Sequence, residues 1–152
     1  MTERSPTLKT VGVVDVKCGR DVMIVMPSNV YSCLLGDEVF VGPFVEVQRG
    51  AIIGDRTRVQ SHSFVCELVT IGADCFIGHG VKFVNDLLRG GPARGDRSRW
   101  RSTEISDRVS IGSNSTILPV RICSDVVIGA GAVVTADIEV PGTYVGNPAR
   151  RV

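Results

Sequence analysis

The stretch LGDEVFVGPFVEVQRGAIIGDRTRVQSHSFVCELVTIGADCFIGHGVKF, Leu35 to Phe83, carries an aliphatic residue or Phe at every sixth position. The series runs Leu35, Val41, Val47, Ile53, Val59, Val65, Ile71, Ile77 and Phe83. Such a period fits neither the 3.6-residue repeat of a helix nor the alternation of an ordinary strand. After a break it returns at Ile105, Ile111 and Ile117, slips by one residue, and runs on through Ile122, Ile128, Val134 and Val140. A six-residue repeat of this kind is a solenoid signature.

A second register lies four residues after each anchor and holds small or aliphatic side chains: Val39, Val45, Ala51, Thr57, Ser63, Val69, Cys75, Val81 and Leu87. The first and fifth places of a unit both point inward if each unit is a short strand followed by a tight turn. Glycine recurs at the second place, at Gly36, Gly42, Gly54, Gly72, Gly78, Gly112 and Gly129, where the turn is expected to use positive φ. Three strands then close one triangular coil. Residues 35–88 supply three regular coils and residues 105–139 about two more. An antiparallel sandwich would show alternation within strands and irregular turn spacing, so the repeat argues against it.

The 152 residues are read as a single domain, 1–152, whose coils form a core layer by layer. A net charge of +1 gives no basic field for nucleic acid. No signal peptide or membrane-spanning run is readable, and a cytoplasmic location is expected. The five cysteines, Cys18, Cys33, Cys66, Cys75 and Cys123, lack metal-ligand spacing. Cys33 and Cys75 fall on inward-facing places and read as small core residues in a reducing compartment.

The rhythm breaks at RGGPARGDRSRWRST, residues 89–103, which contains five Arg and the only Trp. This segment reads as a loop thrown out of the solenoid, able to build or cover a site. Trp100, between Arg99 and Arg101, suits contact with a neighbouring subunit or an anionic ligand. The N-terminal stretch keeps the rhythm poorly: DVMIVMPSNVY, residues 21–31, is expected to form the first coil, and Met1 to Thr10 to fray or to cap the open end.

Positions eighteen apart stack on one face at roughly 4.8 Å, the spacing of neighbouring strands. Arg49, Glu67 and Asn85 therefore form a column of outward side chains ending at the stem of the loop. An Arg49–Glu67 surface ion pair is the bland reading of that column. Of the two histidines, His62 lies outward near a coil corner and His79 in the outward IGHG turn. Ser113 and Ala130 occupy equivalent third places, seventeen apart because of the slip, and Gly131 follows. Their small side chains leave stacked backbone amides open to a ligand lying along them. Arg150 and Arg151 could meet phosphates as bidentate donors, or form a solvated basic tail.

The IGxxxxIGxxxV pattern of Ile71–Val81 and the VVIGAGAVVT of residues 126–135 resemble the left-handed parallel β-helix of the hexapeptide-repeat acyltransferases. Left-handedness is implied by that resemblance alone, since crossovers between parallel strands are usually right-handed. From about Met26 to Val152 the chain is most similar to the N-acetyltransferases of nucleotide-linked 3-amino sugars in surface-polysaccharide pathways. The stretches that carry this include FVCELVTIGADCFIG, GVKFVND before the loop, and VVIGAGAVVTADIEVPGTYVGNPAR. The resemblance implies a homotrimer with acetyl-CoA and the sugar nucleotide bound between adjacent β-helices, and no metal. It places Asn85, Asp86 and Glu67 around the sugar's amine. His62 would act there from a neighbour as base or hydrogen-bond partner, or be a packed interface histidine. His79, Ser113, Ala130, Gly131 and Arg150 are the expected acetyl-CoA contacts.

A deprotonated amine is already a strong nucleophile toward a thioester, so positioning and removal of one proton suffice. A hydroxyl acceptor needs a general base, usually His. The sugar O-acetyltransferases of this superfamily carry a His near the start of the loop, where this chain has NDLL, and that departure favours N-acylation. An O-acetyltransferase, an acyltransferase on another small acceptor and a non-catalytic trimeric scaffold remain alternatives. A zinc enzyme resembling the γ-class carbonic anhydrases would need three interface histidines, and the two here do not supply them.

Overall fold

The computed structural model describes residues 7, 10–88, 91 and 96–152. Those residues form an all-β solenoid of three parallel sheets, here called faces one, two and three. Face one has seven strands: Val13–Val14, Asn29–Tyr31, Glu46–Val47, Phe64–Val65, Lys82–Phe83, Thr116–Ile117 and Val133–Val134. Face two runs from Lys17–Cys18 to Arg121–Ile122, and face three from Met23–Ile24 to Gly142–Val145. The last strand, Arg150–Arg151, folds back antiparallel on Gly142–Val145. The two-residue strands and three-sided coils are those expected of a left-handed β-helix. Among the described residues no helix is long and apolar enough to cross a membrane.

The anchors make the core, because each coil turns its first- and fifth-place side chains onto those of the coil below. Leu35 through Phe83, Ile105 through Ile117, and Ile122 through Val134 are all buried. So are Val39, Val45, Ala51, Thr57, Ser63, Val69, Cys75 and Val81. The two buried hydroxyls of this set are satisfied locally: Thr57 donates to the Gly72 carbonyl and Ser63 to that of Gly78, each at 2.8 Å. Leu87 is only half-buried, since the chain has begun to leave the solenoid there.

Several expectations need correction. The solenoid begins before residue 21, with strands at Val13–Val14 and Lys17–Cys18 that lie on the open end and are exposed. Val140 is 50% exposed, and Ile138, which bridges to Ile122, takes the inward place instead. Thr103 is buried and starts the strand Thr103–Ile105, so the loop ends at Ser102. Of the expected loop, residues 89–90 and 92–95 lie outside the described residues, as do residues 1–6 and 8–9 of the expected cap.

The second-place glycines do not use positive φ; that conformation falls instead at the fourth place, on residues such as Arg56, His62, Asp74 and Asn114. What the glycine-bearing second places share is lack of room for a Cβ. A Cβ on Gly112 would lie 2.4 Å from the backbone nitrogen of Ala130, and one on Gly36 would lie 2.7 Å from that of Asp55. The coils sit too close there for any side chain.

Every departure from the six-residue unit occurs at one corner, between faces one and two. Register pairs Val13 with Val30 and Cys18 with Leu35, so Val13 to Cys18 and Val30 to Leu35 are five-residue steps. Ile117 to Ile122 is a third. The loop enters at this corner too, since Ile71 pairs with Ile105 across it. The other two corners keep the unit intact. A solenoid can vary one edge freely while its core stays stacked, and loops so placed are where sites are built.

Candidate functional site

Gln48, Glu67 and Asn85 follow the face-one strands of three successive coils and so line the irregular corner. The register of Val47, Val65 and Phe83 fixes this stack. The backbone N–H of Glu67 donates to Gln48 Oε1 at 3.3 Å, and Asn85 Nδ2 donates to the Glu67 carbonyl at 3.3 Å. Gln48 Nε2 in turn donates to Glu46 Oε1 at 2.8 Å. The Arg49–Glu67 pair of the bland reading does not form. The Glu67 carboxylate, only 15% exposed, receives Arg97 Nη2 of the loop at 2.5 Å.

Arg97 belongs to a single 3-10 turn, Arg97–Arg99, capped by Asp96, whose carboxylate accepts from the Ser98 backbone at 3.0 Å and from its hydroxyl at 2.6 Å. Those bonds hold the Asp96 carboxyl below its ordinary range. The Arg97 guanidinium lies over the Trp100 ring, 5.4 Å from its centre. The chain returns to the solenoid through a bond from the Arg101 N–H to the Asn85 carbonyl at 2.9 Å. Asp86 turns back to accept from the Leu88 N–H at 2.7 Å. A cavity of about 240 Å³ opens between these segments, lined by Asp86, Leu87, Ser98, Arg99, Trp100 and Arg101.

His62 and His79 lie at the other edge of face one, on the corner it shares with face three. Within one chain they are therefore separated from Glu67 and Asn85 by the width of the sheet. His62 is exposed, adopts φ 63°, and stacks on Phe44 with ring centres 4.9 Å apart. Lys82 Nζ donates to the His62 carbonyl. His79 Nδ1 bonds to the Ser61 hydroxyl at 2.8 Å. Below it in the same column come Ser113 and Ala130: the Gly131 N–H donates to the Ser113 carbonyl at 2.8 Å. A Cβ at Gly131 would meet nothing within 4 Å, so this part of the column is bare backbone facing outward. Arg150 is placed on the terminal antiparallel strand, where its Nη1 donates to the Ala149 carbonyl at 2.9 Å.

The structure thus groups Glu67, Asn85 and Asp86 at one corner, and His62, His79, Ser113, Ala130 and Gly131 at another. Arg97 and Gln48 were missed by the sequence reading. Gln48 had a signal, one place before a column already identified, whereas Arg97 had none, because the repeat does not set the conformation of an excursion. Among the described residues no group of three or more His, Cys, Asp or Glu is placed to hold a metal.

Stacked six-residue units, glycine-tight corners and this paired-edge arrangement define a hexapeptide-repeat β-helix protein. Residues 103–136 match the family model of the hexapeptide repeat of succinyl-transferase. The bifunctional protein GlmU of Thermotoga petrophila is 30% identical over 144 residues, which cover 83% of this chain and 30% of that protein. The chain therefore spans about 30% of the length of that curated relative. A mutant of perosamine N-acetyltransferase from Caulobacter crescentus, solved with CoA and GDP-perosamine, superposes with a TM-score of 0.73 at 25% identity, over 86% of this chain and 56% of that one. A hexapeptide-repeat acetyltransferase of Vibrio cholerae, solved with acetyl coenzyme A, gives 0.63 at 27% identity, over 78% of this chain and 68% of that one.

Proposed function

We propose that this protein is an acetyl-CoA-dependent N-acetyltransferase that acetylates the amine of a nucleotide-linked amino sugar for surface-polysaccharide assembly in the cytoplasm. The observation that carries the reading is the shielded Glu67 carboxylate beside the Asn85 amide, at the corner where a cavity and an Arg-rich loop meet. A carboxylate so placed suits a cationic amine. Its likeness to a CoA- and GDP-perosamine-bound N-acetyltransferase supports the same acceptor class.

In this reading Glu67, Asn85 and Asp86 orient the acceptor amine. Once the ammonium has lost a proton, its nitrogen lone pair attacks the thioester carbonyl carbon, the C–N bond forms and the C–S bond breaks. The thiolate leaves with a proton as CoA-SH, so one proton in all reaches solvent. His79, Ser113, Ala130 and Gly131 line the bare column against which the pantetheine lies, and Arg150 meets its phosphates. The two corners lie apart in one chain, so a homotrimer that sets His62 of one protomer against Asn85 of the next completes the site.

An O-acetyltransferase is the second reading, and the observation that favours it is His79, fixed by Ser61 as a general base would be. The test is free-thiol release from acetyl-CoA against UDP- and dTDP-linked 3- and 4-amino sugars and their hydroxyl counterparts. Release with the amines is expected. Release with hydroxyl acceptors alone would select the second reading, and no CoA binding at all would remove both.

A further inference from the structure

The Arg97–Glu67 contact differs from an ordinary surface ion pair in two respects. Its carboxylate is largely shielded, with a side chain 15% exposed, and it is anchored through its own backbone to Gln48 and Asn85. Its cation comes from outside the solenoid, on a turn whose side chain is 57% exposed and rests on Trp100. A shielded carboxylate left without a cation carries a desolvation penalty that nothing repays. A cation placed here relieves that penalty, and in the empty protein Arg97 supplies it.

We infer that Arg97 is a tethered stand-in for the acceptor's ammonium group. Its guanidinium occupies Glu67 in the empty protein and is displaced when a substrate brings a positive charge of its own to the same oxygen. This rests on the acetyltransferase reading and deepens it. Glu67 then recognises the amine in its protonated form before the proton is lost. Nucleotide or sugar lacking that charge cannot replace Arg97 without leaving the carboxylate unpaired. Displacement moves the guanidinium off Trp100, and Trp100 is the only tryptophan in the chain, so its emission reports the exchange directly.

The inference sets the sign of a kinetic effect. An arginine that binds substrate raises KM when removed, whereas a tethered competitor lowers it. Arg97→Ala is expected to lower KM for a dTDP- or UDP-linked amino sugar by about threefold, what loss of a partly exposed ion pair gives, while KM for acetyl-CoA stays put. Arg97→Lys, which keeps the charge, should stay near the parent value. In the unsubstituted protein the amino sugar should change Trp100 emission, and the matching nucleotide alone should not. A raised or unchanged KM in Arg97→Ala overturns the inference. So does Trp100 emission that ignores a sugar the protein demonstrably acetylates, and the acetyltransferase reading survives both. Absence of thiol release with every acceptor overturns that reading and the stand-in with it.

Discussion

Replacing Gly112 with Ala tests how the coils are held together. The added methyl would lie 2.4 Å from the Ala130 nitrogen, 2.8 Å from its Cα and 2.8 Å from the Gly129 carbonyl carbon, all of them backbone. Ordinary contact would require a shift of about 1 Å, close to a fifth of the strand spacing of about 4.8 Å. That shift opposes the Gly112 N–H bond to the Ile128 carbonyl at 2.7 Å and the Ser115 hydroxyl bonds to Gly112 and Gly129 at 2.8 and 3.0 Å. Losing two such part-buried bonds at about 1–3 kcal/mol each gives a destabilisation of about 2–6 kcal/mol. The thermal midpoint should fall by about 10 °C, from about 2–4 °C per kcal/mol in a chain of this size. Gly131→Ala is the control, because its φ is 70° but a Cβ there meets nothing within 4 Å. Backbone strain alone should then cost about 1 kcal/mol. Urea unfolding of both variants at one protein concentration makes the comparison. If Gly112→Ala is no less stable than Gly131→Ala, close approach is not why the second place is glycine.

Asp37, Asp74 and Asp125 each bond an arginine of an adjoining coil, Arg20, Arg56 and Arg108, which holds their pKa values below the ordinary carboxylate value. Their stabilisation is therefore complete above about pH 4, the unfolded value, and lost as pH falls through the depressed ones; Asp74→Asn should flatten the acid limb of a melting-temperature profile. Burial pushes the Cys33 thiol up to about 11 and the Cys66 thiol up to about 12. With Cys18 exposed, a thiol reagent at pH 8 should label Cys18 at once and reach Cys33 and Cys66 only on unfolding. Asn85→Ala should lower kcat/KM by about tenfold or more if its amide positions the acceptor; an unchanged value would remove it from the site.

The central coils were legible because an inward place admits only an aliphatic or small side chain, so Leu35 to Phe83 declare themselves. The first coil was not, because Val13, Lys17 and Met23 sit on an open end that buries little and imposes no pattern. Val140 misled because the last coil is short: Tyr144 pairs with Ile128 and Ile138 with Ile122, each sixteen residues on. At the candidate site, eighteen-residue stacking was enough to align Glu67 with Asn85. It could not find Arg97, whose position depends on a loop outside the repeat.

Where the acetyl group ends up tests the account most directly. The protein would be incubated with carbon-13-labelled acetyl-CoA and a nucleotide-linked amino sugar, and the product read by NMR and mass spectrometry. The account predicts one acetyl per sugar, joined through an amide to the sugar nitrogen. An ester at a sugar hydroxyl, or an untouched sugar beside intact acetyl-CoA, would contradict it.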